Sequence, residues 1–249
     1  MNVCDIVPGR ERLAPGSDRT RHRHLLPYAI VVLRGSFDQT SYAGRLRVVA
    51  GDLLVQPTLD CHANRLASAD AEILRLPWHD VDSGRCVALA DVDAIARAAE
   101  RDVHEAVALA REGGDGRRAA NDLPDELATA LAGGEVGSLG AWARARGVGR
   151  ETLSRGFSLA YGVSARRFRV ELQARAAWLA IVRSRRALAA IAQEAGFADQ
   201  AHMTRAVLAV TGCTPARWRR DPRVVEMQRS PSAVTTAARS GPCPARPST

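Results

Sequence analysis

Two Ala-x3-Gly steps, Ala143 to Gly147 and Ala192 to Gly196, stand 49 residues apart in matching apolar frames. Alanine at a helix crossing lets two backbones approach closely, and glycine can take the positive φ that a sharp inter-helix turn demands. Around the first step, Leu139, Trp142 and Ala143 share one helix face, Gly147–Gly149 makes the turn, and a second helix from Arg150 points Leu153 and Phe157 inward. Around the second, Leu188, Ile191 and Ala192 precede a turn at Gly196–Asp199 and a helix from Gln200 with Met203 and Val207 inward. One such step arises easily by chance; two in the same frame indicate a duplicated helix-turn-helix. Between the halves, Ser164 to about Arg183 has no glycine or proline and reads as a single helix, with Phe168, Leu172, Ala176 and Leu179 predicted on one face.

The charge follows the repeat. The chain of 249 residues carries a net charge of +8. Residues 138–220 hold 15 arginines against Glu151, Glu171, Glu194 and Asp199, a net of +11, whereas residues 1–137 are net −5. A compact basic segment favours a polyanionic partner, because each neutralised phosphate releases condensed counterions. A bias toward arginine, visible in the absence of lysine, explains the arginines but not the loss of acids from this segment. The connecting helix would span about 30 Å at 1.5 Å per residue, close to the ~34 Å at which one face of a B-DNA major groove recurs.

The length suffices for two domains. Apolar runs at Tyr28–Leu33, Leu46–Val49, Leu53–Val55 and Ile73–Leu76, broken by glycines and Pro57, read as short strands of a small β-barrel. From Val92 to Arg111 the period becomes helical, with Val92, Ile95, Ala99, Val103 and Ala106 on a stripe that suits either a dimer seam or packing on the chain's own barrel. A short helix is expected near Pro124–Leu131, after a Gly- and charge-rich connector at 112–121. The Ser/Pro/Ala-rich end, 229–249, reads as disordered. No apolar run approaches the ~20 residues of a membrane span, and no secretion signal is legible, so a cytoplasmic protein is expected. Cys4, Cys61, Cys86, Cys213 and Cys243 lack zinc-site spacing and are expected as reduced thiols; Cys61 or Cys86 as a redox sensor is a minor reading.

Residues 138–220 resemble the DNA-binding domain of AraC/XylS-type regulators. The strongest stretches are Ile191-Ala-Gln-Glu-Ala-Gly-Phe-Ala-Asp-Gln-Ala-His-Met-Thr-Arg205 and Gly212-Cys-Thr-Pro-Ala-Arg-Trp-Arg219. The first half fits more loosely, departing at Gly149, Gly156 and Ala165, and the second departs at Val207. The resemblance implies that Glu151, Ser154 and Arg155 face the DNA groove from the first recognition helix, with Arg150 and Thr152 near phosphate. In the second helix it implies Ala201, His202 and Arg205 as readers, flanked by Gln200 and Thr204. Arginine can pair bidentately with guanine, glutamate can accept from cytosine and alanine can touch a thymine methyl. Arg166 and Arg167 are expected phosphate contacts. Trp142, Trp178, Phe197, Met203 and Trp218 are expected in the core.

Residues Gly16-x5-His22-x-His24-x3-Tyr28-x6-Gly35 and Gly51-x5-Pro57-x4-His62 resemble the two cupin motifs, with Tyr28 where that family carries its metal-binding glutamate. Histidines at i and i+2 of a strand face one side, so His22, His24 and His62 can meet. A three-histidine metal site is chemically feasible. Without the carboxylate, His22, His24, Tyr28 and His62 are expected to line a ligand pocket, with no metal and no cofactor.

The expected fold class is therefore α+β: a cupin-like sensing barrel at 1–88, a helical dimerisation or linker segment at 89–135, a double helix-turn-helix domain at 136–220 and a tail at 221–249. The expected role is an effector-responsive transcription regulator, not an enzyme. Its partners would be double-stranded promoter DNA, a small-molecule effector, RNA polymerase and a second copy of itself, with no membrane. A cupin metalloenzyme carrying a DNA-binding module is the alternative.

Overall fold

The computed structural model describes residues 7–66, 70–78, 84–112, 116 and 122–221. The connector at 113–115 and 117–121, the tail beyond Asp221, Cys4 and Cys243 lie outside them. The described chain forms two compact units, one ending at Arg169 and the other beginning at Val170.

Among the described residues, nine strands occupy the first unit: β1 (Gly9–Leu13), β2 (Arg19–His22), β3 (Tyr28–Arg34), β4 (Ser36–Ser41), β5 (Gly44–Val49), β6 (Asp52–Gln56), β7 (His62–Arg65), β8 (Ala71–Pro77) and β9 (Arg85–Ala88). They pair antiparallel in two sheets, ordered β1-β8-β3-β6-β9 and β2-β7-β4-β5. Strand alternation gives each sheet two faces. Tyr28, Ile30, Val32, Leu54 and Ile73 of the larger sheet meet Phe37 and Val48 of the smaller one in a shared core. The opposite face of the larger sheet, through Ala29, Val31, Leu53, Val55, Leu74 and Leu76, is covered by helices. Burial on both faces makes β3 a continuous apolar run, Tyr-Ala-Ile-Val-Val.

The single helix expected over 92–111 is two: α1 (Val92–Arg101) and α2 (Val103–Arg111). Asp102 breaks it. Its backbone is extended at φ −149°, and its carboxylate accepts from the His104 N–H at 2.8 Å, capping α2. The apolar stripe is used within the chain, where Ile95, Ala98, Ala106, Val107 and Ala110 pack with Trp78 on the larger sheet.

Six further helices follow: α3 (Leu123–Ala132), α4 (Leu139–Ala145), α5 (Arg150–Tyr161), α6 (Ala165–Arg183), α7 (Leu188–Glu194) and α8 (Gln200–Thr211), with a final turn α9 (Pro215–Trp218). α6 is the expected long helix, but its buried line differs from the expected one. Phe168, Ala174, Ala177, Trp178 and Ile181 are buried, while Ala176 is exposed. Among the described residues, no helix is long and apolar enough to cross a membrane.

Candidate nucleic-acid interface

The two halves of the repeat are built alike. Ala143 and Ala192 are buried, and Gly147 and Gly196 hold φ of +68° and +77°. The Val148 N–H bonds the Ala143 carbonyl at 3.1 Å, and the Phe197 N–H bonds the Ala192 carbonyl at 2.9 Å. These bonds close α4 and α7 with the same left-handed glycine turn. Gly162 and Gly212, both left-handed, then end α5 and α8. Leu153, Phe157, Met203 and Val207 are buried as expected, and so are Trp142, Trp178, Phe197 and Trp218.

The outer faces carry the residues expected to meet DNA. Arg150, Glu151, Thr152 and Arg155 on α5 are exposed and Ser154 is half-buried. Glu151 and Arg155 pair at 3.3 Å along that face. On α8, Gln200, Ala201 and Arg205 are exposed, Thr204 is half-buried, and His202 sits edge-on against Phe197 with ring centroids 5.1 Å apart. Arg166 and Arg167 are exposed in the first turn of α6, where the Arg167 N–H donates to the Ser164 hydroxyl at 3.3 Å. Unpaired N–H groups at such helix ends suit phosphate.

The helix starts differ. Asp199 caps α8 by accepting from the His202 N–H at 2.6 Å, whereas Gly149 begins α5 with no side-chain cap. Gly156 weakens α5 further. A Cβ built there would come no nearer than 4.0 Å to the Pro124 ring, so alanine fits. Gly156→Ala should therefore stabilise the first unit by up to about 1 kcal/mol, read as a raised urea midpoint; a lowered midpoint would mean that α5 needs glycine for its packing.

The far end of α5 is held by groups that sequence reasoning missed. The Tyr161 hydroxyl donates to Asp125 Oδ1 at 2.7 Å. Arg45 on β5 grips the same carboxylate with two bonds of 3.0 and 2.8 Å and reaches Asp122 at 2.5 Å. Arg21 Nη1 donates to the Tyr161 carbonyl at 3.2 Å, and the Tyr42 ring meets Phe168 edge-on at 5.3 Å. Burial raises the Asp125 carboxyl, but hydrogen bonds from Arg45 and Tyr161 outweigh it and hold the group below the usual carboxylate range. Burial and the bond to Asp125 push the Tyr161 phenol up. Only the Asp122/Asp125 spacing, a capping box, could have signalled part of this in the sequence.

The structure also brings together the histidines. His22, His24 and His62 each offer a nitrogen within 4.8 Å of the others. The His22 Nδ1–H donates to the Thr20 carbonyl at 2.8 Å and the His62 Nδ1–H to the Asp60 carbonyl at 3.2 Å, which turns both Nε2 lone pairs away from the backbone. The Tyr28 hydroxyl lies 3.2 Å from His62 Nε2 and donates to it. Three neutral imidazoles suit a divalent transition ion. Tyr28, whose phenol burial pushes up, supplies no anionic fourth ligand. Burial also lowers His22 and, far more strongly, His62, which the neighbouring His22 and His24 lower further.

A histidine held neutral in the fold must be uncharged to stay there. Its contribution is complete above the unfolded pKa of about 6.5 and is lost as pH falls below it, by up to about 1.4 kcal/mol per pH unit for His62. Urea midpoints should thus drop between pH 7.5 and 5.5, and His62→Gln should flatten that slope; an equal slope in the variant would assign it to other groups. Cys61, Cys86 and Cys213 are buried and form no disulfide among the described residues, a poor setting for a redox sensor.

Residues 142–221 match the family model described as a helix-turn-helix domain. No curated protein matches the chain. Among solved structures it is similar to the C-terminal domain of AraT, a response regulator from Geobacillus stearothermophilus (17% identity over 40% of this chain and 85% of that one, TM-score 0.37). A transcriptional regulator with an AraC-type DNA-binding domain from Chromobacterium violaceum is similar at 21% identity over 39% of this chain and 89% of that one, TM-score 0.36. Wild-type ToxT from Vibrio cholerae bound to an unsaturated fatty acid is similar at 9% identity over 86% of this chain and 94% of that one, TM-score 0.39.

The duplicated motif, its exposed arginine-bearing helices and the domain match define a DNA-binding transcription regulator. Both of its helix-turn-helix halves lie in or next to the segment that the helix-turn-helix domain model matches.

Proposed function

We propose that the chain reads promoter sequence with α5 and α8 and that a small molecule held between the N-terminal sheets controls the reading. The observation that carries this is the exposed face of both helices: Arg150, Arg155 and Arg205, with Arg166 and Arg167 nearby in sequence, in a segment almost emptied of acids. Glu151, Ser154, Arg155, Ala201, His202 and Arg205 meet base edges, while Arg150, Thr152, Arg166, Arg167, Gln200 and Thr204 hold phosphate or flank the readers. The functional DNA-binding segment is 136–220, although its first half packs in the unit that carries the sheets. His22, His24, Tyr28 and His62 face the effector. Segment 1–88 senses, 89–135 links, and 221–249 is a tail. The protein acts in the cytoplasm without catalysis, as a homodimer that meets promoter DNA and RNA polymerase. Genome-wide occupancy of the full-length chain tests this: sharp peaks sharing one sequence motif are expected, and diffuse binding without a motif would overturn it.

The histidine cluster favours a second reading, a metal-holding barrel with chemistry of its own. Purified protein carrying one tightly bound transition ion, lost in His62→Ala, would support that reading against ours.

A further inference from the structure

A second polar feature of the β unit lies outside the histidine cluster. Between the two sheets lies a cavity of about 270 Å³, walled by Gln39, Ser41 and Leu46 of the β4–β5 hairpin on one side and by Leu54, Gln56 and Val87 on the other. Gln39 and Gln56 are 2% and 1% exposed. The Gln56 amide N–H donates to the Gln39 carbonyl oxygen, which leaves the Gln56 carbonyl oxygen buried with no hydrogen-bond partner. A buried acceptor without a donor is costly, and because Gln56 lines the cavity a turn of its amide plane offers this oxygen to an occupant.

The surroundings define that occupant. Leu46, Leu54, Val55 and Val87 make most of the wall apolar, while Asp60 and Arg85 add one charge of each sign at its border. The volume sits just below the usual range of ligand pockets, room for a one-ring molecule but not for a nucleotide or a lipid chain. The open position is an acceptor, so the occupant brings a donor.

The cavity wall is also the element that holds α5. Gln39, Ser41 and Leu46 face inward from the β4–β5 hairpin, while Tyr42 and Arg45 of the same hairpin reach Phe168 and the Asp125–Tyr161 pair. A shift of this hairpin on filling the cavity reaches the end of α5 through the direct contact of β4 with α5 and through Asp125 of α3.

We propose that this cavity is the effector site and that it takes a small, mostly apolar molecule bearing an alcohol or an amine, which donates to the Gln56 carbonyl. This rests on the effector-controlled reading above and moves the effector from the histidines to the amide pair. Four probes of one shape test it on the full-length chain: benzyl alcohol, benzylamine, toluene and benzoate. Binding is followed by the methyl NMR signals of Leu46, Leu54 and Val87, and promoter affinity by fluorescence anisotropy.

Benzyl alcohol or benzylamine should shift those methyls with at least fivefold higher affinity than toluene or benzoate; benzoate binding best of the four would assign recognition to Arg85 and overturn the proposal. Whichever of the two binds better identifies the donor. Gln56→Met, similar in length but without the acceptor, should erase the advantage over toluene. The probe that binds should change promoter affinity at least twofold. Donor probes binding no better than toluene to the unaltered chain, a comparison independent of any variant, would overturn the proposal, as would an undiminished advantage in a folded Gln56→Met. Saturation of the cavity with unchanged promoter affinity would keep the binding site and sink effector control. A compound that alters promoter affinity while leaving the three methyls unmoved would sink the cavity and keep effector control.

Discussion

Asp125→Ala should cost the first unit about 3 kcal/mol, the largest stability loss expected from a single polar side chain here. The carboxylate, 4% exposed, receives Tyr161 and both arms of Arg45, and it answers Asp122 across the N-terminus of α3. Removing it strands a buried hydroxyl and loosens a guanidinium, and stranded partners usually cost more than the bonds they had made. The figure stays at the low end for a broken buried pair because Arg45 is 28% exposed and can turn to water. Tyr161→Phe, which leaves the Arg45 pair intact, should lose only about 1 kcal/mol. Urea denaturation of the two variants beside the unaltered chain checks both values. A loss below 1 kcal/mol for Asp125→Ala would mean that the cluster is bypassed by the packing of Phe157, Tyr161 and Phe168.

Arg205→Ala should weaken binding to the preferred site by about 1–3 kcal/mol, roughly 5- to 150-fold, and relax preference at one base position. Arg205 is exposed on the outer face of α8, whose start is fixed by the Asp199 cap, so its reach into a groove is repeatable from one molecule to the next. Arg166→Ala removes a charge from the start of α6 and should weaken all sequences alike, lowering the slope of log affinity against log salt by about one unit. Arg155→Ala should change base preference less than Arg205→Ala, because α5 begins uncapped and contains Gly156. Binding to a library of randomised sites separates the three. Unchanged preference in the Arg205 variant beside a changed one in the Arg166 variant would reverse the roles of reader and anchor.

The parts legible in the sequence were those with strong periodicity. β3 and β6 are buried on both faces and read as apolar runs, and the repeat from Leu139 to Val207 showed its turns through glycine and its cores through spacing. Polar strands gave no such signal: β1 (Gly-Arg-Glu-Arg-Leu) and β2 (Arg-Thr-Arg-His) lie at sheet edges, and β7 (His-Ala-Asn-Arg), though paired on both sides, is only partly buried. The break at Asp102 was hidden because the apolar stripe continues across it, and only the capping geometry reveals a new helix. The histidines could be paired from i, i+2 spacing and motif frame. The clasp of Arg21, Tyr42, Arg45, Asp125 and Tyr161 could not, since it joins positions up to 140 residues apart that share no period. The Gln39–Gln56 pair was equally silent, because a glutamine inside a strand looks the same whether it faces solvent or a cavity.

The packing of α5 against β4 and α3 has a consequence for how the chain is made. Synthesis runs from the N-terminus and domains fold as they emerge. By the time Tyr161 leaves the ribosome, Arg45 and Asp125 have long since been extruded, and the first reading head finds its seat already assembled. The second head needs only residues from α6 onward, such as Trp178 and Trp218, and completes itself last. A ribosome that stalls after α5, but not α8, has cleared its exit tunnel would therefore display a nascent chain with one finished head and none of the other, a state that pulsed proteolysis of stalled complexes can observe.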